Sequence, residues 1–122
     1  MKRIDRTYDD HQISTGDDLR LEYRGEPFTG EVVTTLGDQL LAQAFYVDGI
    51  SHGLQRAWWS DGQLKSQGEM DFGTPQGVHR EWHRNGRLAK ERQFDEMGRL
   101  RAVQIWDESG SAVERARPWD KM

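Results

Sequence analysis

The chain has 122 residues, enough for one domain, and only 34% of them are hydrophobic while 31% are charged. Five Trp, four Phe, three Tyr and 13 Gly favour a thin, turn-rich β structure over a disordered tail. The absence of Cys excludes disulfides and thiolate metal sites. Because no signal-peptide pattern or long apolar run is present, we expect a cytoplasmic protein without a membrane span.

The charge is unevenly distributed along the chain. Residues 1–76 hold 7 Lys/Arg and 13 Asp/Glu, a net charge of −6, whereas residues 77–122 hold 10 and 8, a net charge of +2. Nucleic-acid binding requires clustered Lys and Arg, so we expect no nucleic-acid partner. An acidic front half suits a basic protein partner, because opposed surface potentials speed and orient the encounter.

Residues 1–18 are polar and mixed in charge, which predicts an N-terminal arm that is either irregular or a short edge strand. Paired carboxylates occur here at Asp9-Asp10 and Asp17-Asp18, and again at Asp95-Glu96. Acid–base catalysis requires a cleft that shifts their pKa values apart, and the thin sheet predicted below offers none. We therefore expect no enzyme activity.

The strongest feature of the sequence is an internal repeat, with a period of about 24 residues, that spans residues 19–116. One weak unit begins near Tyr23 and reaches its turn early, at residues 36–38; three clearer units follow it. Equivalent positions carry the same residue types: Trp58, Trp82 and Trp106; Tyr46, Met70 and Phe94; Leu64, Leu88 and Ala112; Gly62, Gly86 and Gly110.

Each unit is predicted to form a β-hairpin, because Asp-Gly or a similar turn pair lies between two β-prone runs. A two-residue loop would pair Trp58 with Lys65. A three-residue loop with a glycine bulge instead pairs Trp58 with Leu64, and we favour it because large apolar side chains then meet across the hairpin. Applied to the other units, it pairs residue 82 with 88 and residue 106 with 112.

The predicted fold is all-β: a single-layer antiparallel meander of hairpins, with residues 117–122 as a tail that helps to protect the last edge. Alternation along the strands predicts one apolar and one polar face. The polar face is expected to carry Lys65, Gln67, Glu69, Glu81, His83, Glu91 and Gln93. The apolar face, the repeat core, is expected to carry Tyr46, Trp58, Leu64, Met70, Trp82, Leu88, Phe94 and Trp106.

Units of the form G-x4-W/Y-x2-(D/N)-G-x-L, with an aromatic residue six positions later, resemble the MORN-repeat variant family. The resemblance covers residues 19–116 and includes the entry segment at residues 23–30; a shortened first turn, Arg101 in place of Gly and Ala112 in place of Leu depart from the pattern. Bacterial single-domain members are commonly antitoxins or immunity proteins. The resemblance implies a small cytoplasmic protein that binds and occludes a cognate toxin encoded nearby.

Two histidines four residues apart, His79 and His83, would chelate zinc on a helix. On a strand their Cα atoms lie about 13 Å apart, too far to share one ion. We therefore expect neither a metal nor another cofactor.

Trp59 lies one residue out of phase with the tryptophan column, so it is predicted to be exposed among charged residues, as an interface hot spot would be. With Glu69, Glu81 and His83 it forms the predicted partner-binding set; the alternative for Trp59 is local packing. The regular tryptophan column could be a stacking platform for bases or sugars, but repeat core is favoured.

Two other kinds of binding protein fit the same pattern. A scaffolding repeat could bind other proteins or lipid, although the acidic balance disfavours anionic lipid. Hairpin repeats rich in aromatic residues also occur in glycan-binding modules, but those normally belong to secreted proteins.

Overall fold

Strands make up most of the chain in the computed structural model, which describes residues 1–116; the tail predicted at residues 117–122 lies outside the described residues. Residues 1–27 form a series of short elements: β1 Arg3–Asp5, α1 Arg6–Asp9, a 3-10 turn Asp10–Gln12, β2 Ile13–Thr15, β3 Leu21–Tyr23 and β4 Glu26–Pro27. The longer strands follow: β5 Gly30–Leu36, β6 Gln39–Val47, β7 Ile50–Ser51, β8 Gly53–Trp58, β9 Leu64–Asp71, β10 Thr74–Trp82, β11 Leu88–Phe94, β12 Leu100–Trp106 and β13 Ala112–Ala116.

The strands form one large sheet and one small sheet. The large sheet runs in the order β1-β5-β6-β8-β9-β10-β11-β12-β13, with β7 also paired to β6, and the small sheet is β2-β3-β4. Neighbouring strands are antiparallel, except that β1 is parallel to β5. The all-β prediction is therefore confirmed. The expectation of a purely antiparallel single layer is wrong at the N-terminal end, where β1, α1 and the small sheet are added.

The loops between successive strands form two rows, one at each end of the strands of the large sheet; we call these rows edge A and edge B. The last three loops on edge A have the predicted three-residue form: in the first of them the Gly62 amide donates to the Trp59 carbonyl at 2.9 Å, and Gly62 has a φ of 92°. The predicted pairing of Trp58 with Leu64 is confirmed, as are the equivalent pairs in the next two hairpins. Edge A comprises residues 36–38, 59–62, 83–86 and 107–110; edge B comprises residues 48–49, 72–73 and 96–98.

One extra residue interrupts the pairing beyond each loop on edge A. Trp58 pairs with Leu64 but Ala57 pairs with Ser66, so Lys65 has no counterpart on β8. Such a bulge reverses the alternation of side chains between the two faces of the strand. The irregularity recurs once in every repeat, at Leu41, Lys65, Ala89 and Val113.

These bulges place the two aromatic columns on opposite faces. Trp58 lies two residues from Arg56, and Arg56 pairs with Gln67, so these three share one face; Met70, three residues beyond Gln67, is on the other. The prediction of a single apolar face is therefore wrong. The tryptophan face carries Trp58, Leu64, Trp82, Leu88 and Trp106, and the tyrosine face carries Tyr46, Met70 and Phe94.

The fully buried apolar core lies at the N-terminal end of the fold. All the predicted repeat-core side chains are half-buried. The residues predicted to form an irregular arm or edge strand supply both an edge strand, β1, and part of this core. The buried side chains are Ile4, Leu21, Phe28, Val32 and Val33, each at most 7% exposed.

Hydrogen bonds that Asp5 accepts join the start of α1 to β5 at the N-terminal end of the fold. Asp5 caps α1 by accepting from the Thr7 amide at 2.9 Å, and it also accepts from the amide and hydroxyl groups of Thr35 on β5. Burial acts to raise the pKa of Asp5, but the bonds from Thr35 and Thr7 outweigh it and hold that pKa below its usual value.

Within residues 1–116 there is no helix of the length and apolarity that a membrane crossing requires.

Candidate partner-binding site

Trp59 is half-buried in edge A, so the prediction of an exposed side chain is wrong. Its indole Nε1 donates to the Trp82 carbonyl at 3.3 Å. The Lys65 Nζ and the Arg84 Cζ lie 4.7 and 4.8 Å from the centroid of its ring. Local packing, the alternative considered for this residue, is what the structure shows.

His83 occupies the same position one repeat later and makes an equivalent contact. Its Nε2 donates to the Trp106 carbonyl at 2.9 Å, as Trp59 does to Trp82. Asn85 adds a bond to the Glu108 carbonyl at 2.8 Å. Side chains from one loop thus satisfy backbone carbonyls near the next loop, and edge A is a ladder that joins successive repeats.

Replacing Trp59 with Phe is expected to lower the free energy of unfolding by about 1 kcal/mol, because the Trp82 carbonyl loses its indole donor while a ring remains between the two cations. Urea denaturation followed by circular dichroism measures the change. Ser60→Ala, at an exposed position in the same loop, is the control and should stay within about 0.5 kcal/mol of the parent protein. Equal stability of Trp59→Phe and the parent would contradict the ladder.

The two predicted carboxylates do not join Trp59 in one patch. Glu69 lies on the tryptophan face, and its side chain is exposed. Glu81 lies on the tyrosine face and forms a salt bridge with Arg92 at 2.8 Å. The structure therefore divides the predicted partner-binding set among edge A and both faces.

The two histidines of the discounted metal site also lie apart. The ring of His79 covers Gly68 and packs edge-on against Phe94 with centroids 5.0 Å apart, whereas His83 belongs to edge A. Among the side chains of residues 1–113, no group of three or more Asp, Glu or His is placed to hold a metal ion.

A polar row that the sequence analysis missed crosses the tryptophan face. The Arg56 guanidinium donates to the Gln43 side-chain oxygen at 2.8 Å, and Arg80 pairs with Glu91 at 2.9 Å. Gln67 and Glu91 had been assigned to the face opposite the tryptophans. The available signal was the recurrence, one repeat apart, of Gln43, Gln67 and Glu91 and of Arg56, Arg80 and Gln104.

Two non-glycine residues with a positive φ lie in edge B. Asp48 and Phe72, one repeat apart, have φ values of 52° and 43°, and each is followed by a glycine. Arg24, one repeat earlier in the β3–β4 loop of the small sheet, has a φ of 54°. This left-handed geometry suits a two-residue hairpin loop. Phe72 is 57% exposed, and Met97, in the next loop, is 72% exposed. These exposed apolar side chains make edge B the stronger candidate for a binding surface.

Asp95 organises the last loop of edge B. Its carboxylate accepts from the Met97 and Arg99 amides, both at 2.9 Å, and forms salt bridges with Arg99 and Arg101. The bond from the Arg99 amide is the largest influence that lowers the pKa of Asp95, to about 2. Asp95 and Glu96 are adjacent carboxylates in the sequence, but the Asp95 carboxylate is used to stabilise the loop through these bonds.

This lowered pKa predicts a pH dependence. Asp95 stabilises the fold fully above its unfolded pKa of about 3.8, and the stabilisation disappears as the pH falls towards 2. Thermal unfolding at pH 5 and pH 2.5 should therefore show a smaller loss of Tm in Asp95→Asn than in the parent protein. Glu96→Gln, at the exposed neighbouring position, is the control and should lose as much Tm as the parent. The same loss in all three proteins would contradict this role.

A cavity of about 620 Å³ lies beside edge B. It lies between the N-terminal elements and the tyrosine face; its lining includes Leu19, Tyr46, Gly49, Ile50 and Gly73. Leu19 is 84% exposed and also has a positive φ, 67°. The lining also includes Arg6, Asp18 and Arg20, so the cavity meets edge B at Gly73 but is of mixed polarity.

The fold is an all-β protein built from similar hairpins, and edge B carries the exposed Phe72 and Met97 side chains. No protein-family model matches the chain, and no curated protein matches it.

Proposed function

We propose that this chain is a protein-binding module of MORN-like hairpins that acts as an antitoxin or immunity protein, occluding a cognate toxin. The observation that carries the proposal is the surface formed by residues 53–113. Its large apolar side chains are only half-buried and are divided between two faces, and further apolar side chains are exposed at its edge. Contact with a second macromolecule would remove this apolar area from water.

Two sequence features support a protein ligand. The chain carries a net charge of −4, and the acidic excess lies within residues 1–76, which suits a basic protein and opposes binding to nucleic acid. The repeat pattern resembles that of MORN-type antitoxins and immunity proteins, whose inhibition requires only binding. A rigid sheet loses little conformational freedom when it binds, which favours affinity.

The test is co-expression with the product of the adjacent open reading frame. We expect that product to arrest growth when expressed alone, this chain to restore growth, and the two to co-purify as a one-to-one complex. Growth arrest that persists, with no complex in size-exclusion chromatography, would contradict the proposal.

The alternative is a scaffolding module that binds other proteins, lipid or glycan. Co-sedimentation with phosphatidylserine vesicles or with insoluble polysaccharide, without rescue of growth, would favour it.

A further inference from the structure

Phe72 adopts a backbone conformation that is costly for its side chain. Its φ of 43° lies in the left-handed region, where a Cβ-bearing residue other than Asn or Asp costs about 1–2 kcal/mol. The equivalent residue one repeat earlier is Asp48, which tolerates this region. Because the Phe72 side chain remains 57% exposed, its burial contributes little stability to offset this strain. Backbone strain of this kind is typical of binding sites.

His52, in the preceding part of the same chain, packs against the Phe72 ring. The ring stacks on His52 with centroids 4.2 Å apart and planes inclined by 26°, and the Phe72 amide donates to the His52 Nδ1 at 3.3 Å. One face of the ring is thereby covered and the rest is open to solvent. An aromatic side chain fixed in this way loses little entropy when a partner covers it.

Further apolar groups lie close to Phe72. The Gly98 backbone packs against Thr74, which brings the loop that carries Met97 beside the Phe72 loop. On the other side, Gly73 joins Leu19 and Ile50 in the lining of the 620 Å³ cavity. Edge B therefore offers projecting apolar side chains, and the recess beside them has a partly charged lining that includes Arg6, Asp18 and Arg20.

The charged groups around this apolar edge give it an acidic character. Asp48, Asp71 and Glu96 flank the loops. Three guanidinium groups lie nearby: Arg20 pairs with Asp18 and Asp48, whereas Arg99 and Arg101 share the carboxylate of Asp95. These three face five carboxylates, and the acidic excess comes from Asp71, Glu96 and the Asp18–Asp48 pair. An incoming chain would meet carboxylates at the rim, so Lys and Arg beside its apolar residues would bind well.

We propose that edge B is the docking surface for a basic amphipathic segment of another protein, with Phe72 as its central anchor. The inference rests on the proposed function and deepens it by naming the surface and the chemistry of the partner. The apolar side chains of the segment cover Phe72 and Met97. Its Lys and Arg side chains face Asp48, Asp71 and Glu96.

The probe is a synthetic amphipathic Leu/Lys peptide, titrated into the isotope-labelled full chain and followed by NMR. We expect amide shifts to centre on residues 47–49, 71–73 and 96–98. Phe72→Asn should weaken binding by about fivefold or more without lowering Tm, because Asn suits the left-handed loop position. Leu36→Asn, at an exposed apolar position on edge A, is the matched control and should bind as the parent does.

The inference is overturned if the Leu/Lys peptide causes no shifts, if the shifts centre elsewhere, or if Phe72→Asn binds as tightly as the parent. It is also overturned if a Leu/Glu peptide binds equally well, because the carboxylates around edge B would then not favour a basic segment over an acidic one.

The adjacent gene product separates this inference from the proposed function. If the peptide maps to edge B but that product does not bind, the proposed function fails and the docking surface stands. If the product binds the parent and Phe72→Asn equally and the peptide does not map to edge B, the docking surface fails and the proposed function stands.

Discussion

Phe28→Ala is expected to reduce the free energy of unfolding by about 3–5 kcal/mol, because the ring leaves a cavity in the fully buried core. Phe28 is 4% exposed and packs with Ile4, Leu21 and Val32, with the Tyr23 ring edge-on at a centroid distance of 6.0 Å. The loss is comparable to the total stability of a small domain. Much of the chain should therefore unfold at room temperature.

Urea denaturation followed by circular dichroism measures this effect. Leu36→Ala removes an apolar side chain that is 61% exposed on β5, and it should change the free energy of unfolding by about 0.5 kcal/mol or less. A similar small change for Phe28→Ala would mean that the half-buried repeats, and not the N-terminal core, stabilise the fold.

Gly30→Ala is expected to have the second large effect, a loss on the order of 3 kcal/mol. Gly30 has a φ of 148°, and an added Cβ would overlap the Lys2 carbonyl oxygen and lie 2.9 Å from the Phe28 Cζ. That carbonyl accepts from the Glu31 amide at 2.8 Å in the pairing of β1 with β5. The substitution therefore forces β1 away from the sheet and opens the core.

Gly37→Ala separates this clash from the cost of backbone conformation alone. Gly37 also has a positive φ, 59°, but an added Cβ would meet no atom within 4 Å. Its loss should be only about 1–2 kcal/mol. Native-state hydrogen exchange provides a second measurement, since Gly30→Ala should expose the Glu31 amide and Gly37→Ala should leave it protected. Equal losses of stability for the two variants would exclude the clash.

The hairpins of edge A were predictable because short-range chemistry specifies them. A glycine that follows Asp, Asn or Ser takes a positive φ at low cost, and the three-residue loop then brings Trp58 opposite Leu64. The same interactions recur in the later repeats. The periodic sequence therefore predicted the all-β class, the loop type and the pairing next to each loop.

The division of side chains between the faces was not predictable from the alternation of residue types. One extra residue, Lys65 in the second hairpin, exchanges the faces beyond it, and this bulge depends on how β9 aligns with β8. The pattern had placed Met70 with the tryptophans, and the bulge moves it to the other face. The prediction that Trp59 is exposed was wrong for a related reason: its indole Nε1 donates to the Trp82 carbonyl, which lies in the next repeat.

The sequence by itself determined the repeat, its loops and the acidic front half of the chain. Only the tertiary structure decided which residues form the core and which edge is exposed. The core brings Ile4 against Val32 through the parallel pairing of β1 with β5, a contact between distant segments that no local pattern encodes. The candidate binding edge depends in the same way on successive loops lying side by side, which places Phe72 on His52 and the loop of Met97 beside the loop of Phe72.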